Sequence, residues 1–149
     1  MKTLVVYDSA YGNTEIIARA IGDAIPGDVC VTKVSEADAS DLKSLNLLII
    51  GSPVYAGRAT QPIQAFMRSI PDGSISCVNT AAFDTRISGW FARLFGRAAP
   101  RMSRTLKAKN GKEALAAEGF IVLGKEGPLK EGEFERAAAW AKEIVKDIE

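Results

Sequence analysis

The sequence predicts a doubly wound α/β domain, three layers deep (α/β/α), built on a five-stranded parallel sheet. Short β-branched or apolar runs alternate with segments of helical periodicity along all 149 residues, the pattern of β-strands joined by crossover helices. The third run, Leu45-Asn-Leu-Leu-Ile-Ile50, is apolar almost throughout, as in a strand covered on both faces. No repeat, linker or low-complexity stretch divides the chain, and its length suits one hydrophobic core, so residues 1–149 are expected to form one domain.

In order, Thr3-Leu-Val-Val-Tyr7 reads as strand one and Thr14 to Ile25 as the first helix. Val29 to Val34 reads as strand two, Ala39 to Ser44 as a short helix and Leu45 to Ile50 as strand three. Thr60 to Ile70 is the next helix, with Thr60 at the N-cap and Pro62 in the first turn, where a missing N–H does no harm. Strand four is expected at Ile75 to Phe83. The stretch from Asp84 to Gly111 reads as partly helical, interrupted by Gly96 and Pro100 and stopped by Asn110-Gly111. Phe120 to Gly124 is strand five, and Glu131 to Ile148 is a closing helix with Phe134, Ala138, Ala141, Val145 and Ile148 along one side.

Composition narrows the chemistry. No apolar run approaches the roughly 20 residues needed to cross a bilayer, which implies a soluble, cytoplasmic protein. Cys30 and Cys77 lie in apolar segments far apart in sequence, consistent with buried, reduced thiols and no metal site. With no histidine anywhere, imidazole ligands and His-based triads are excluded. Any chemistry must come largely from a cofactor.

Ligands of doubly wound sheets bind beyond the carboxyl ends of the strands. After strand one, Ser9-Ala-Tyr-Gly-Asn-Thr14 opens a helix. Free helix N–H groups, Gly12 in a tight loop, and the short donors Ser9, Asn13 and Thr14 suit a phosphate. Without lysine or arginine this is no P-loop, and it lacks GxGxxG. Taken alone, the stretch also reads as a capped turn.

The run from Val5 to Thr14 resembles the phosphate loop of the flavodoxin family, usually Ser/Thr-x-Thr-Gly-Asn-Thr, with Tyr11 where threonine is common. The resemblance covers the whole chain in element order and implies a short-chain form with strand order 2-1-3-4-5. It implies FMN as the cofactor, with the phosphate at Ser9, Ala10, Tyr11, Gly12, Asn13 and Thr14. The loop after strand three resembles the second flavin loop, implying contacts from Pro53, Val54, Tyr55, Ala56 and Gly57, with Tyr55 as the flat partner for the ring. Gly57 at the second central position lets a turn switch between types I and II. In flavodoxins such a rotation turns a carbonyl toward the flavin N5–H, and the matching peptide is Ala56-Gly57. After strand four, Ala82, Phe83, Asp84 and Thr85 fall where the family meets the pyrimidine edge, and Phe83 or Trp90 is left as cover for the second flavin face.

Familiar flavodoxins are strongly acidic, whereas this chain is +1 overall. Residues 85 to 112 hold eight Lys/Arg and no acid; the rest carries 11 basic against 18 acidic residues. Arg93, Arg97, Arg101 and Arg104 would share one face of a continuous helix. With Arg86 they suggest docking of an acidic redox partner, contact with an anionic membrane surface, or a merely solvated face; nucleic acid is not expected. Three functions stay open. The leading one is an FMN-dependent one-electron carrier. The others are an FMN-dependent oxidoreductase of quinones or small molecules, more distantly similar to menaquinone-dependent protoporphyrinogen oxidases, and a flavin-free binding module.

Overall fold

The computed structural model describes residues 1–40, 42–89 and 97–149. Six parallel strands form one sheet: β1 (Lys2–Tyr7), β2 (Asp28–Lys33), β3 (Leu47–Pro53), β4 (Asn79–Ile87), β5 (Lys112–Glu113) and β6 (Glu118–Val122). The order is β2-β1-β3-β4-β5, with β6 also on β4. This is the predicted order 2-1-3-4-5 with its fifth position split. β5 pairs with Asn79 and Thr80 at the start of β4, and β6 with Phe83 to Ile87 at its end. The helices are α1 (Asn13–Asp23), α2 (Gln61–Ser69), α3 (Ala98–Ala108) and α4 (Glu133–Ile148), with a 3-10 turn at Val34–Glu36.

Strand periodicity sorts the core into two layers. Leu48, Ile50, Val6 and Ala82 pack beneath Ile63, Phe66 and Met67 of α2 and Met102 and Leu106 of α3. Leu47, Ile49, Val5, Ala81 and Phe83 face Ile17 and Ile21 of α1 and Trp140, Ala141 and Ile144 of α4. Every residue from Leu47 to Ser52 is buried, as an apolar strand between helical layers requires. Gly51 lies directly across from Phe83, and a Cβ at Gly51 would enter the Phe83 ring.

Several expectations need correction. Among the described residues, 39–44 form turns rather than a helix; Ala39 and Leu42 bury themselves from a loop. Ile75 and Val78 are wholly buried but lie before β4, which therefore runs four residues later than its apolar pattern suggests. Pro100 stands in the first turn of α3, where it starts a helix rather than breaking one. Asn110 takes φ 70 past the C-cap, with Gly111 N–H donating to Leu106 O at 2.9 Å and Asn110 N–H to Lys107 O at 2.9 Å, a Schellman stop. On α4 the buried stripe is Ala137, Trp140, Ala141, Ile144 and Val145, while Phe134 is 51% exposed. Both cysteines are exposed thiols, Cys30 on the edge strand β2 and Cys77 in the turn before β4.

Candidate functional site

The carboxyl ends of β1, β3, β4 and β6 enclose a cleft. One wall comes from the β1–α1 loop: Ser9, Ala10, Tyr11, Asn13 and Thr14. Gly12, at φ 93, is the N-cap of α1 and its N–H donates to Ser9 Oγ at 3.0 Å. That leaves the Ser9 hydroxyl proton free to donate. Among the described residues, the N–H groups of Ala10, Tyr11, Asn13, Thr14 and Glu15 donate to no protein acceptor. Five backbone donors at a helix N-terminus, without a cation among them, make a neutral cradle for an anion. The Tyr7 hydroxyl donates to Glu15 Oε1 at 2.9 Å beneath this turn. Burial, reinforced by Glu15, pushes the Tyr7 phenol up, and the same bond holds Glu15 below the usual carboxylate range.

Pro53, Val54 and Tyr55 form the facing wall. Tyr55 N–H donates to Arg58 O at 2.8 Å and Arg58 N–H to Tyr55 O at 2.9 Å, so a two-residue turn closes over Ala56 and Gly57. Ala56 at φ 50 and Gly57 at φ 76 are both left-handed, the signature of type I′ rather than the expected type I or II. The reason is the antiparallel bridge between Tyr55 and Arg58, whose right-handed twist type I′ matches. Ala56-Gly57 is the central peptide of this turn. Tyr55, 62% exposed, and Tyr11, 50% exposed, present open rings to the same cleft.

Buried and half-buried side chains lock the walls together. The Asp8 carboxylate accepts from Ser9 N–H at 3.0 Å and from the Thr60 hydroxyl at 2.6 Å. Ser52 Oγ accepts from Thr60 N–H at 3.0 Å. Thr14 and Thr85 share a hydrogen bond at 2.8 Å, joining the start of α1 to β4. Whichever hydroxyl donates, the other keeps its proton for a ligand.

At the third wall the structure revises the site. Because β4 continues to Ile87, Ala82, Phe83 and Asp84 are strand residues, each fully buried, and do not line the cleft. Phe83 packs edge-on against Phe120 and Trp140, with centroids 6.0 and 6.2 Å away. The Asp84 carboxylate accepts from Arg86 Nε at 2.6 Å, from Arg86 Nη2 at 2.8 Å and from Ala99 N–H at 2.8 Å in the first turn of α3. Thr85, Arg86 and Ile87 line the cleft instead, joined by Val122 and Lys125 after β6. Sequence reading missed Arg86, Ile87, Val122 and Lys125 as cleft residues. The strand-end rule, applied also to strand five, points to the last two. Trp90 and Arg93 lie outside the described residues.

Arg86 is therefore matched by a buried carboxylate and is no free docking charge. Arg97 is extended, at φ −129 and ψ 132, as the N-cap of α3. Arg97 therefore shares no helical face with Arg101 and Arg104, which lie on α3.

Fold and cleft together define a doubly wound α/β protein with a donor-lined cleft at its strand ends. Residues 4–125 match the flavodoxin domain model, and the chain belongs to that family. It is an FMN-binding electron-transfer protein that exchanges electrons with redox partner proteins. Oxidised flavodoxin 1 from Bacillus cereus is similar in structure, with TM-score 0.83 and 19% identity over 98% of both chains. Flavodoxin 2 from the same organism gives 0.81 and 23%, covering 98% of this chain and 99% of the other. Rubredoxin:oxygen oxidoreductase from Desulfovibrio gigas gives 0.79 and 17%, covering 99% of this chain and 36% of that one. At these identities the likeness is one of fold. No curated protein sequence matches the chain. Among the described residues no helix is long and apolar enough to cross a membrane.

Proposed function

We propose that residues 1–149 form one domain acting as a one-electron carrier, with FMN in the cleft at the ends of β1, β3 and β4. The carrying observation is the set of five unpaired N–H groups around Gly12, with no cation among them. In this reading Ser9, Ala10, Tyr11, Gly12, Asn13 and Thr14 hold the phosphate. Pro53 to Gly57 flank the ring with Tyr55 against one face, and Thr85 meets the pyrimidine edge. Bound FMN supplies the redox chemistry; the chain supplies position, exclusion of water and electrostatics. Ala56-Gly57, positive in φ at both residues, offers its peptide group at the tip of the turn, where Ala56 is exposed and Gly57 buried. The partner is an acidic protein approaching Arg97, Arg101 and Arg104, which are exposed and make no ion pair among the described residues. Two exposed thiols suit a reducing compartment, here the cytoplasm.

Fluorescence titration of the apoprotein with FMN and riboflavin tests the phosphate site. At roughly 1.5 kcal/mol for each of two charge-assisted bonds, FMN should bind about 100-fold more tightly. The Asn13→Ala/Thr14→Ala double variant should lose at least about tenfold in FMN affinity and little for riboflavin. Equal affinity of the two ligands for the parent overturns the assignment.

A further inference from the structure

We infer that the groove between α2 and α3 is the docking face for the acidic partner. This deepens the carrier reading above and rests on it. Both walls come from stretches without a single acid: residues 52 to 71 on the α2 side and 85 to 112 on the α3 side. The turn before α2 supplies Arg58 and α3 supplies Arg101 and Arg104 around one groove floored by Met67 and Met102.

Three cations of the acid-free α3 stretch and its flanks are already matched. Lys107, also on α3, pairs with Glu113 at 2.6 Å, Lys109 with Asp72 at 3.7 Å and Arg86 with Asp84 at 2.6 Å. Arg58, Arg101 and Arg104 are exposed and have no carboxylate partner among the described residues. The cations left unmatched on α3 thus face Arg58 across the groove. Arginine forks take carboxylates two bonds at a time.

Position adds to the case. Tyr55, which lines the cofactor cleft, also borders a hollow running past Arg58 to Gln64, at the edge of the groove. A carboxylate-bearing protein seated there would lie beside the exposed rim of the cleft. A lipid surface fits less well, because the groove's large apolar side chains, Met67 and Met102, are only 5% and 1% exposed.

The test uses the FMN-loaded protein and a plant-type [2Fe–2S] ferredoxin as the acidic probe, with binding read by calorimetry at low and high salt. Arg58→Glu, Arg101→Glu and Arg104→Glu should each weaken binding by about tenfold, and the triple variant should lose its salt dependence. Lys142→Glu, on α4 far along the chain, should match the parent. Visible spectra check FMN occupancy in each variant, and because calorimetry reads docking directly, a failure to hold FMN would sink the cofactor reading without masking the docking result. A parent that ignores the ferredoxin, a triple variant that binds like the parent, or binding to anionic phosphatidylglycerol vesicles in place of the protein would each overturn the inference.

Discussion

The two sides of the cleft are built from different chemistry. The wall formed by the loops after β1 and β3 is held mainly by hydroxyls and backbone groups, Gly12 N–H on Ser9, Thr60 N–H on Ser52 and the Tyr55–Arg58 turn, with one carboxylate, Asp8, accepting from Ser9 N–H and the Thr60 hydroxyl. The wall at the end of β4 is held by ion pairs and aromatic rings, whose carboxylates also reach the backbone of other elements. Asp84 ties Arg86 to the start of α3, and Glu133 of α4 accepts from Ile121 N–H at 2.7 Å and pairs with Arg136, whose guanidinium lies 4.6 Å from the Phe120 ring centroid. The neutral side leaves its donors free for a ligand. The ionic side has tied Asp84, Arg86, Glu133 and Arg136 into the fold, and leaves Lys125 at the cleft without an ion pair among the described residues.

If that division is right, damage to the ionic wall should appear first in stability. Asp84→Asn strips the counter-charge from Arg86, whose side chain is 14% exposed, and should cost about 3–5 kcal/mol in urea unfolding. A loss under 1 kcal/mol would mean that Arg86 finds water or another acceptor.

Acid should act on the same wall. Glu133 is held below its ordinary value of 4.5, chiefly by the Arg136 hydrogen bonds. A depressed carboxylate contributes stability that is fully present above its unfolded-state pKa and is lost as pH falls through the folded value. Stability should therefore decline as pH drops below about 4.5, and Glu133→Gln should flatten that decline. An unchanged acid limb in pH-dependent melts would assign it to other carboxylates.

The smallest effect belongs to the neutral wall. Ala56 sits at φ 50, where an L-residue is strained by about 1–2 kcal/mol while glycine is not. Glycine costs about 0.5–1 kcal/mol more in backbone entropy. Ala56→Gly should stabilise the apoprotein slightly, raising Tm by about 2 °C. A lower Tm would show that the turn is not strained.

The same contrast explains what could be read from sequence. The loop after β1 was legible because its glycine, hydroxyls and amide act within six residues, and β3 because a doubly covered strand has no polar alternation. The end of β4 was not: Ile75 to Phe83 is apolar enough to be a strand, yet only pairing with β3 and β6 shows that the strand starts at Asn79 and ends at Ile87. Phe83 as a core ring, Arg86 as a matched cation and Lys125 as a cleft residue all depend on that register. The α4 stripe failed for a related reason, since Phe134 and Trp140 both fit a helical period and only the neighbouring Phe83 and Phe120 select Trp140.

The exposed thiol of Cys77 has a practical use. It precedes β4, at the end of the sheet opposite the cleft, and a nine-residue strand spans about 30 Å at 3.3 Å per residue. With Cys30→Ser removing the other exposed thiol, a gold electrode or maleimide surface would capture the molecule in one orientation, its cleft turned toward the solution. Voltammetry on such a monolayer would then report the bound flavin across a fixed thickness of protein.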